Sequence, residues 1–248
     1  NCSPIKSHYM FKFVNKVVLS VALIASSSIA HASLITNGSF EQTAFINQPT
    51  AVGLVFNTDL QAYQTKNSAW DVFYTLPGWE TTYGKGIELQ KNVVTSSQNG
   101  SHHVELDSAV NGLSNSVMTQ TLQSLTVGAN YQLEFFYKPR TKVINDNGIH
   151  VFWYDANTDF DFDMKPVLIS DSTAGLMPTW SKQTVSFTAQ AQSMNLSFAS
   201  VGKENTLGGL IDNVSLTQTT SVPEPSTFIF LFTAIALLVM RHYKKSSV

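Results

Sequence analysis

The chain has 248 residues, 43% of them hydrophobic and 13% charged, with a formal net charge of −2. Its one cysteine, Cys2, lies at the extreme start, which rules out a disulfide framework and a thiol nucleophile in the rest of the chain. Six of the fifteen Lys and Arg residues lie in the first 32 or last 27 positions; between them nine cations face sixteen acids, and a body near −7 argues against nucleic acid and anionic lipid as partners.

Residues 1–9, NCSPIKSHY, lack an initiating Met and read as upstream translation or a fragment boundary. From Met10 the pattern is that of a signal peptide. Lys12 and Lys16 form a basic start, residues 17–25 an apolar run, and Ala30-His31-Ala32 a small-x-small site for signal peptidase. The run is too short for a retained span. Residues 1–32 are therefore set apart from the fold, and an exported domain is expected over 33–221. Such a length can bury a sizeable core, which must replace the missing disulfides alone or with a metal.

Within that body the strand period dominates. Residues 43–69 read as a long polar surface loop. Strands are expected at 87–90, at 103–107 where Val104 and Leu106 alternate with His103, Glu105 and Asp107, and at 117–122. The clearest alternation is Tyr131, Leu133, Phe135 and Tyr137 against Gln132, Glu134 and Lys138. Further strands are expected at 149–154, around Val185 and Phe187, around Leu196 and Phe198, and at 210–217. Gly84-Lys85-Gly86, Asn99-Gly100, Gly128-Ala129-Asn130, Asn147-Gly148 and Gly208-Gly209 punctuate them as turns. Short strands with regular turns predict an all-β, antiparallel two-sheet sandwich in one domain.

The last 27 residues, 222–248, carry Pro223-Glu224-Pro225, an apolar run from Phe228 to Met240, and a basic end of Arg241, Lys244 and Lys245. An apolar run closed by cations is a membrane segment with its basic end in the cytoplasm. Counted from Ser226 it has 15 residues, short of the roughly 20 that span a bilayer comfortably. This tail resembles the PEP-CTERM sorting signal of Gram-negative bacteria. The resemblance implies recognition by an exosortase, a precursor in the inner membrane, and a mature protein at the cell surface or in the extracellular matrix. The alternative is a plain C-terminal anchor.

Five segments, LITNGSFEQ, LPGWETTYGKGIELQ, GSHHVELDS, ANYQLEFFYKPR and NTLGGLIDNVSL, together resemble the galactose-binding-domain-like jelly rolls, in particular their cell-wall-associated branch. The resemblance implies a jelly-roll sandwich that binds carbohydrate without cleaving it. It also implies a structural calcium shared by the acid after an N-G-x-F motif and the acid of an I-D-N-V strand, here Glu41 and Asp212. The sequence adds its own reason for the second. Asp212 shares its parity with Leu210, Val214 and Leu216, and a carboxylate in a core register must be paired, hydrogen-bonded or metal-bound. The alternative is that Asp212 caps a bulge and hydrogen-bonds to backbone amides, with Glu41 exposed.

Asp155, Asp159, Asp161 and Asp163 fail the EF-hand spacing, with Phe160 where Gly is required and Pro166 where Glu is required. They read instead as a strand or hairpin arm with a solvated acidic face. For a glycan, Tyr83 and Trp153 supply flat faces and Glu105 and Arg140 polar edges; as packing residues, the aromatics would face the core. His102 and His103, being adjacent, point to opposite sides of a strand, and no nucleophile elbow, zinc motif or P-loop is present. No catalytic residue is assigned. The alternatives to a polysaccharide-binding surface protein are a secreted polysaccharide hydrolase or lyase and a ligand-free coat protein.

Overall fold

The computed structural model describes residues 32–43, 67–108, 114–143, 145–170, 179–219 and 235. The chain divides into two units at Ala32/Ser33, and every strand belongs to the second. The expected signal segment and the tail with Pro223, Glu224 and Pro225 lie outside the described residues. Among the described residues no helix is long and apolar enough to cross a membrane.

Among the described residues twelve strands form two antiparallel six-stranded sheets. They are β1 (Ala69–Phe73), β2 (Thr75–Leu76), β3 (Trp79–Tyr83), β4 (Ile87–Lys91), β5 (His102–Glu105), β6 (Val117–Leu122), β7 (Asn130–Pro139), β8 (Gly148–Asp155), β9 (Leu168–Ser170), β10 (Ser181–Thr188), β11 (Met194–Val201) and β12 (Gly209–Gln218). The first sheet runs β1-β4-β5-β12-β7-β10 and the second β2-β3-β6-β11-β8-β9.

The core fills the space between the sheets. From β7 it takes Tyr131, Leu133, Phe135 and Tyr137, the alternation read from the sequence, and from β11 Leu196 and Phe198. Phe135 meets Phe198 edge-on at 5.0 Å, and Phe198 meets Trp79 at 5.9 Å. These geometries suit the quadrupoles of neighbouring rings. On β11 Ser197 and Ala199 are buried too, because the second sheet is covered on its outside by Phe152, Tyr154, Phe160 and Met164.

Two expectations are corrected. In β12 the register shifts between Asp212 and Ser215, where Asn213 takes a left-handed φ of 50°. A bulge of one residue flips the alternation. Ile211, Val214 and Leu216 enter the core, while Asp212 lies opposite Phe136 on the outside of the first sheet. The parity argument for Asp212 failed at that bulge. The acidic run after Asp155 is a series of turns rather than a strand: Asp155 Oδ1 accepts the Asn157 N–H at 2.8 Å and Asp161 Oδ1 the Asp163 N–H at 2.9 Å. Short Asx turns of this kind compete with a strand ladder.

The start of the body lies along β12. The N–H of Leu34 donates to the Leu216 carbonyl and that of Val214 to the Gly38 carbonyl, each at 2.8 Å. Gly38 is required there, since a Cβ would sit 1.9 Å from the Val214 carbonyl oxygen. Phe40 is fully buried against Trp79, with ring centroids 6.0 Å apart, and Glu41 turns away from it toward the β4–β5 loop.

Candidate functional site

Strand pairing sets a row of polar side chains on the outside of the first sheet. Glu88 of β4 faces Glu105 of β5, and Gln90 faces His103. All four are buried. Gln90 is the hub: its Nε2 donates to Glu88 Oε1 at 2.8 Å and to Glu105 Oε2 at 2.7 Å, and its Oε1 accepts from His103 Nε2 at 2.9 Å. With Nε2 as the donor, His103 Nδ1 is the acceptor for the Ser97 hydroxyl at 2.9 Å. The ring is thereby fixed as one neutral tautomer. Burial pushes its pKa down to about 4, and the charges of Lys138, His102 and Arg140 add to this.

Arg140 closes the row. Its Nη1 donates to Glu105 Oε2 and, at 3.2 Å, to the Thr206 carbonyl. The Gly208 N–H donates to Glu105 Oε1 at 2.5 Å. Burial and the facing Glu88 carboxylate hold the Glu105 carboxyl well above its ordinary range, against the pull of Arg140 and Gly208. A buried acid in that state donates or accepts hydrogen bonds without a large desolvation cost.

The β4–β5 loop lies over this row. Lys138 Nζ donates to Thr95 Oγ1 at 2.6 Å, and Trp180 Nε1 to the Ser96 carbonyl at 2.9 Å. The Trp180 ring meets His103 edge-on at 5.6 Å. On the far side Trp70, paired with Gln90 across the ladder, is 46% exposed. Val94 holds a left-handed φ of 61° at 55% exposure, an unfavourable conformation for a β-branched residue.

Glu41 and Asp212 grip the same loop. Asp212 Oδ2 accepts the N–H groups of Gln98 at 2.7 Å and Asn99 at 2.9 Å, and Oδ1 that of Asn213 at 2.6 Å. Glu41 Oε1 accepts the N–H groups of Ser101 at 2.6 Å and His102 at 2.7 Å, and Oε2 contacts His102 Nδ1 at 2.7 Å. Gly100 between them has φ 66°, and a Cβ there would fall 2.3 Å from Glu41 Oε1. Burial pushes Asp212 up to about 7 despite its three amide donors, and the Glu41 charge adds to the rise. For Glu41 burial acts upward too, but the hydrogen bonds from His102 and Ser101 outweigh it and hold the carboxyl below its ordinary value. Calcium requires six to eight oxygens. Here all four carboxylate oxygens are turned to N–H and O–H donors, so the residues present do not fit the ion expected between them. The oxygens are satisfied by the loop itself.

Of the four residues the sequence offered for a glycan, Glu105 and Arg140 come together in the polar row. Tyr83 lies on the opposite outer face, against Phe162 at 5.0 Å. Trp153 faces the core, stacked on Phe187 at 4.5 Å with its Nε1 donating to the Thr188 carbonyl. One ring face and the Nε1 edge are thus committed to packing at the sandwich margin, and part of the residue lines a cleft of about 340 Å³ with Tyr154, Asp155, Thr158, Lys165 and Gln190. The sequence reading missed Gln90, His103, Trp70 and Trp180. Gln90 and His103 lay in strands expected at 87–90 and 103–107, whereas Trp70 and Trp180 fell outside every expected strand.

A protein family described as "Protein of unknown function (DUF642)" matches residues 33–217, and the chain belongs to that family. The chain is 29% identical over 157 residues to the multifunctional-autoprocessing repeats-in-toxin of Vibrio vulnificus, and 28% identical over 146 residues to that of Vibrio cholerae. The alignments take in 60% and 58% of this chain but only 3% of each toxin. Among solved structures, it is similar to the K1 cleaved adhesin domain of Lys-gingipain from Porphyromonas gingivalis, with 14% identity, TM-score 0.44, and coverage of 62% of this chain and 100% of that one. It is also similar to a CBM4 structure, at 14% identity and TM-score 0.37, covering 75% of this chain and 99% of that one.

Proposed function

We propose that this chain is the precursor of an exported protein whose β-sandwich binds polysaccharide without cleaving it, on the outside of the first sheet. One observation carries the reading: a hydrogen-bonded row of Glu88, Gln90, His103, Glu105 and Arg140 between two indoles, Trp70 and Trp180. Aromatic planes stack on sugar rings, and the buried row fixes the strands and the loop against which the two indoles are set. The five jelly-roll-like segments support the same reading. In this account signal peptidase removes residues 1–32, and an exosortase acts on the Pro223-Glu224-Pro225 tail, so the mature domain reaches the surface or matrix of a Gram-negative cell.

The row is built for binding and not for bond cleavage. Glu105 is fully buried beneath Arg140 and Gly208 and has no open face toward a substrate. The test is retention of the purified protein on the producer's own exopolysaccharide, with Trp70→Ala and Trp180→Ala alongside. Each variant should keep the wild-type circular dichroism and lose roughly tenfold in affinity, as expected for one stacking contact. No retention of the wild type removes the reading, and release of reducing ends that Glu105→Gln abolishes replaces it with a hydrolase.

A further inference from the structure

The β4–β5 loop over the polar row carries the dipeptide Asn99-Gly100, and the fold imposes its glycine. Gly100 has φ 66°, and a Cβ there would fall 2.3 Å from Glu41 Oε1, so a residue without a side chain is required. The peptide nitrogen that follows Asn99 is therefore unshielded. Both residues are exposed. Their flanks are held: the Asn99 N–H donates to Asp212 Oδ2 at 2.9 Å, and the N–H groups of Ser101 and His102 donate to Glu41 Oε1 at 2.6 and 2.7 Å. Among the described residues, no hydrogen bond engages the Asn99 side-chain amide or the Gly100 N–H between those grips.

Two other Asn-Gly pairs fall among the described residues, and both are locked. Asn37 is 6% exposed; its Oδ1 accepts the Gln42 N–H at 2.8 Å and its Nδ2 donates to the Pro77 carbonyl at 3.1 Å. Asn147 is fully buried. Its Oδ1 accepts the N–H groups of Arg140 and Thr141 at 2.8 and 2.9 Å, and its Nδ2 donates to the Thr141 carbonyl at 3.1 Å. An amide held in this way cannot turn its carbon toward the next nitrogen until the region opens, and opening costs free energy.

We propose that Asn99 is a self-modification site: it deamidates in the folded protein, and the isoaspartate formed releases the β4–β5 loop. The Gly100 nitrogen gives up its proton to solvent hydroxide and attacks Asn99 Cγ. A C–N bond forms there, the bond from Cγ to the side-chain nitrogen breaks, and ammonia leaves. Water then opens the cyclic imide at either carbonyl, giving aspartate or isoaspartate; no electrons are exchanged. In isoaspartate the main chain runs through Cβ and Cγ and is longer by a carbon. The added atom lies between the amides bound to Asp212 and those bound to Glu41, so the two grips no longer fit one loop. The new carboxylate also places a negative charge close to Asp212. What the loop carries is then let go: the Ser97 hydroxyl on His103 and the Ser96 carbonyl that holds Trp180 Nε1. None of this requires that the face bind polysaccharide.

The experiment holds the full-length chain in mildly alkaline buffer and follows it by proteolysis and mass spectrometry, with isoaspartate read by enzymatic methylation. Asn99 should convert at least about tenfold faster than Asn37 and Asn147, which react only after local opening. The aged form, separated by ion exchange, should exchange the amide hydrogens of Gln98, Ser101 and His102 at least about tenfold faster than fresh protein. Asn99→Asp has the new charge without the longer main chain, and its exchange should lie between the two. Conversion of Asn99 no faster than that of the two buried asparagines overturns the site. Unchanged exchange in the aged form overturns the release, and an equal rise in Asn99→Asp overturns the role given to isoaspartate.

Discussion

On the outside of the first sheet Glu88, Gln90, His103 and Glu105 are buried by a loop and joined by directional hydrogen bonds. The outside of the second sheet is different. There Phe160 meets Phe152 and Phe162 edge to face and Tyr154 at a tilt, beside a chain of hydroxyls running from Thr82 through Thr119 and Ser197 to Tyr154, at 2.7–3.0 Å. Both faces of one sandwich are covered, by opposite means. The aromatic cover is held by area and tolerates change; the polar cover is held by matched donors and acceptors, and one missing partner strands a buried charge. The proposed ligand recognition falls on the first face, where directional groups are already fixed in place.

The largest effect should come from Arg140→Met. At pH 8 it should lower stability by about 3 kcal/mol, because it leaves the Glu105 carboxyl buried without its guanidinium. The penalty should shrink toward pH 5. Glu105 already titrates above its unfolded value, so the stability linked to its protonation is present at low pH and is lost as pH rises. Urea unfolding at the two pH values measures this, and an equal cost at both would show that Glu105 does not need the arginine. On the other face, Phe160→Ala removes a ring set edge-on to Phe152 at 5.1 Å and to Phe162 at 4.9 Å. It should cost about 1–2 kcal/mol, with no dependence on pH. A pH-dependent loss there would erase the distinction between the two faces.

The sandwich was legible wherever alternation ran unbroken. Tyr131 to Tyr137 and Val117 to Leu122 announced their strands, and both appear where expected. Asp212 was misplaced because a bulge at Asn213 changes parity, and a bulge writes nothing into the hydrophobic pattern. The site was half legible. Glu105 and Arg140 could be proposed as polar edges, but their meeting depends on β12 lying between β5 and β7, a pairing between residues far apart in the chain. His103 looked unusable because of its neighbour His102. In the fold that adjacency is what separates their roles: His102 turns to Glu41 and His103 to Gln90.

A last prediction tests whether the polar face is as dry as its hydrogen bonds require. His103 has a folded pKa of about 4 against an unfolded 6.5, so the stability it contributes is present above pH 6.5 and is lost as pH falls toward 4. Asp212, raised to about 7 from 3.8, acts in the opposite sense: its contribution is present below 3.8 and is lost as pH rises through 7. Between pH 4 and 6.5 the two oppose each other. Replacing His103 with Gln should therefore tilt the profile, so that stability rises on acidification by roughly 2–3 kcal/mol relative to wild type across that window. Imidazole resonances followed by NMR give the direct reading, with a His103 midpoint near 4. A midpoint near 6.5 would mean that the loop carrying Ser97 opens and water reaches the row, leaving both outer faces wet and the difference between them without consequence for recognition.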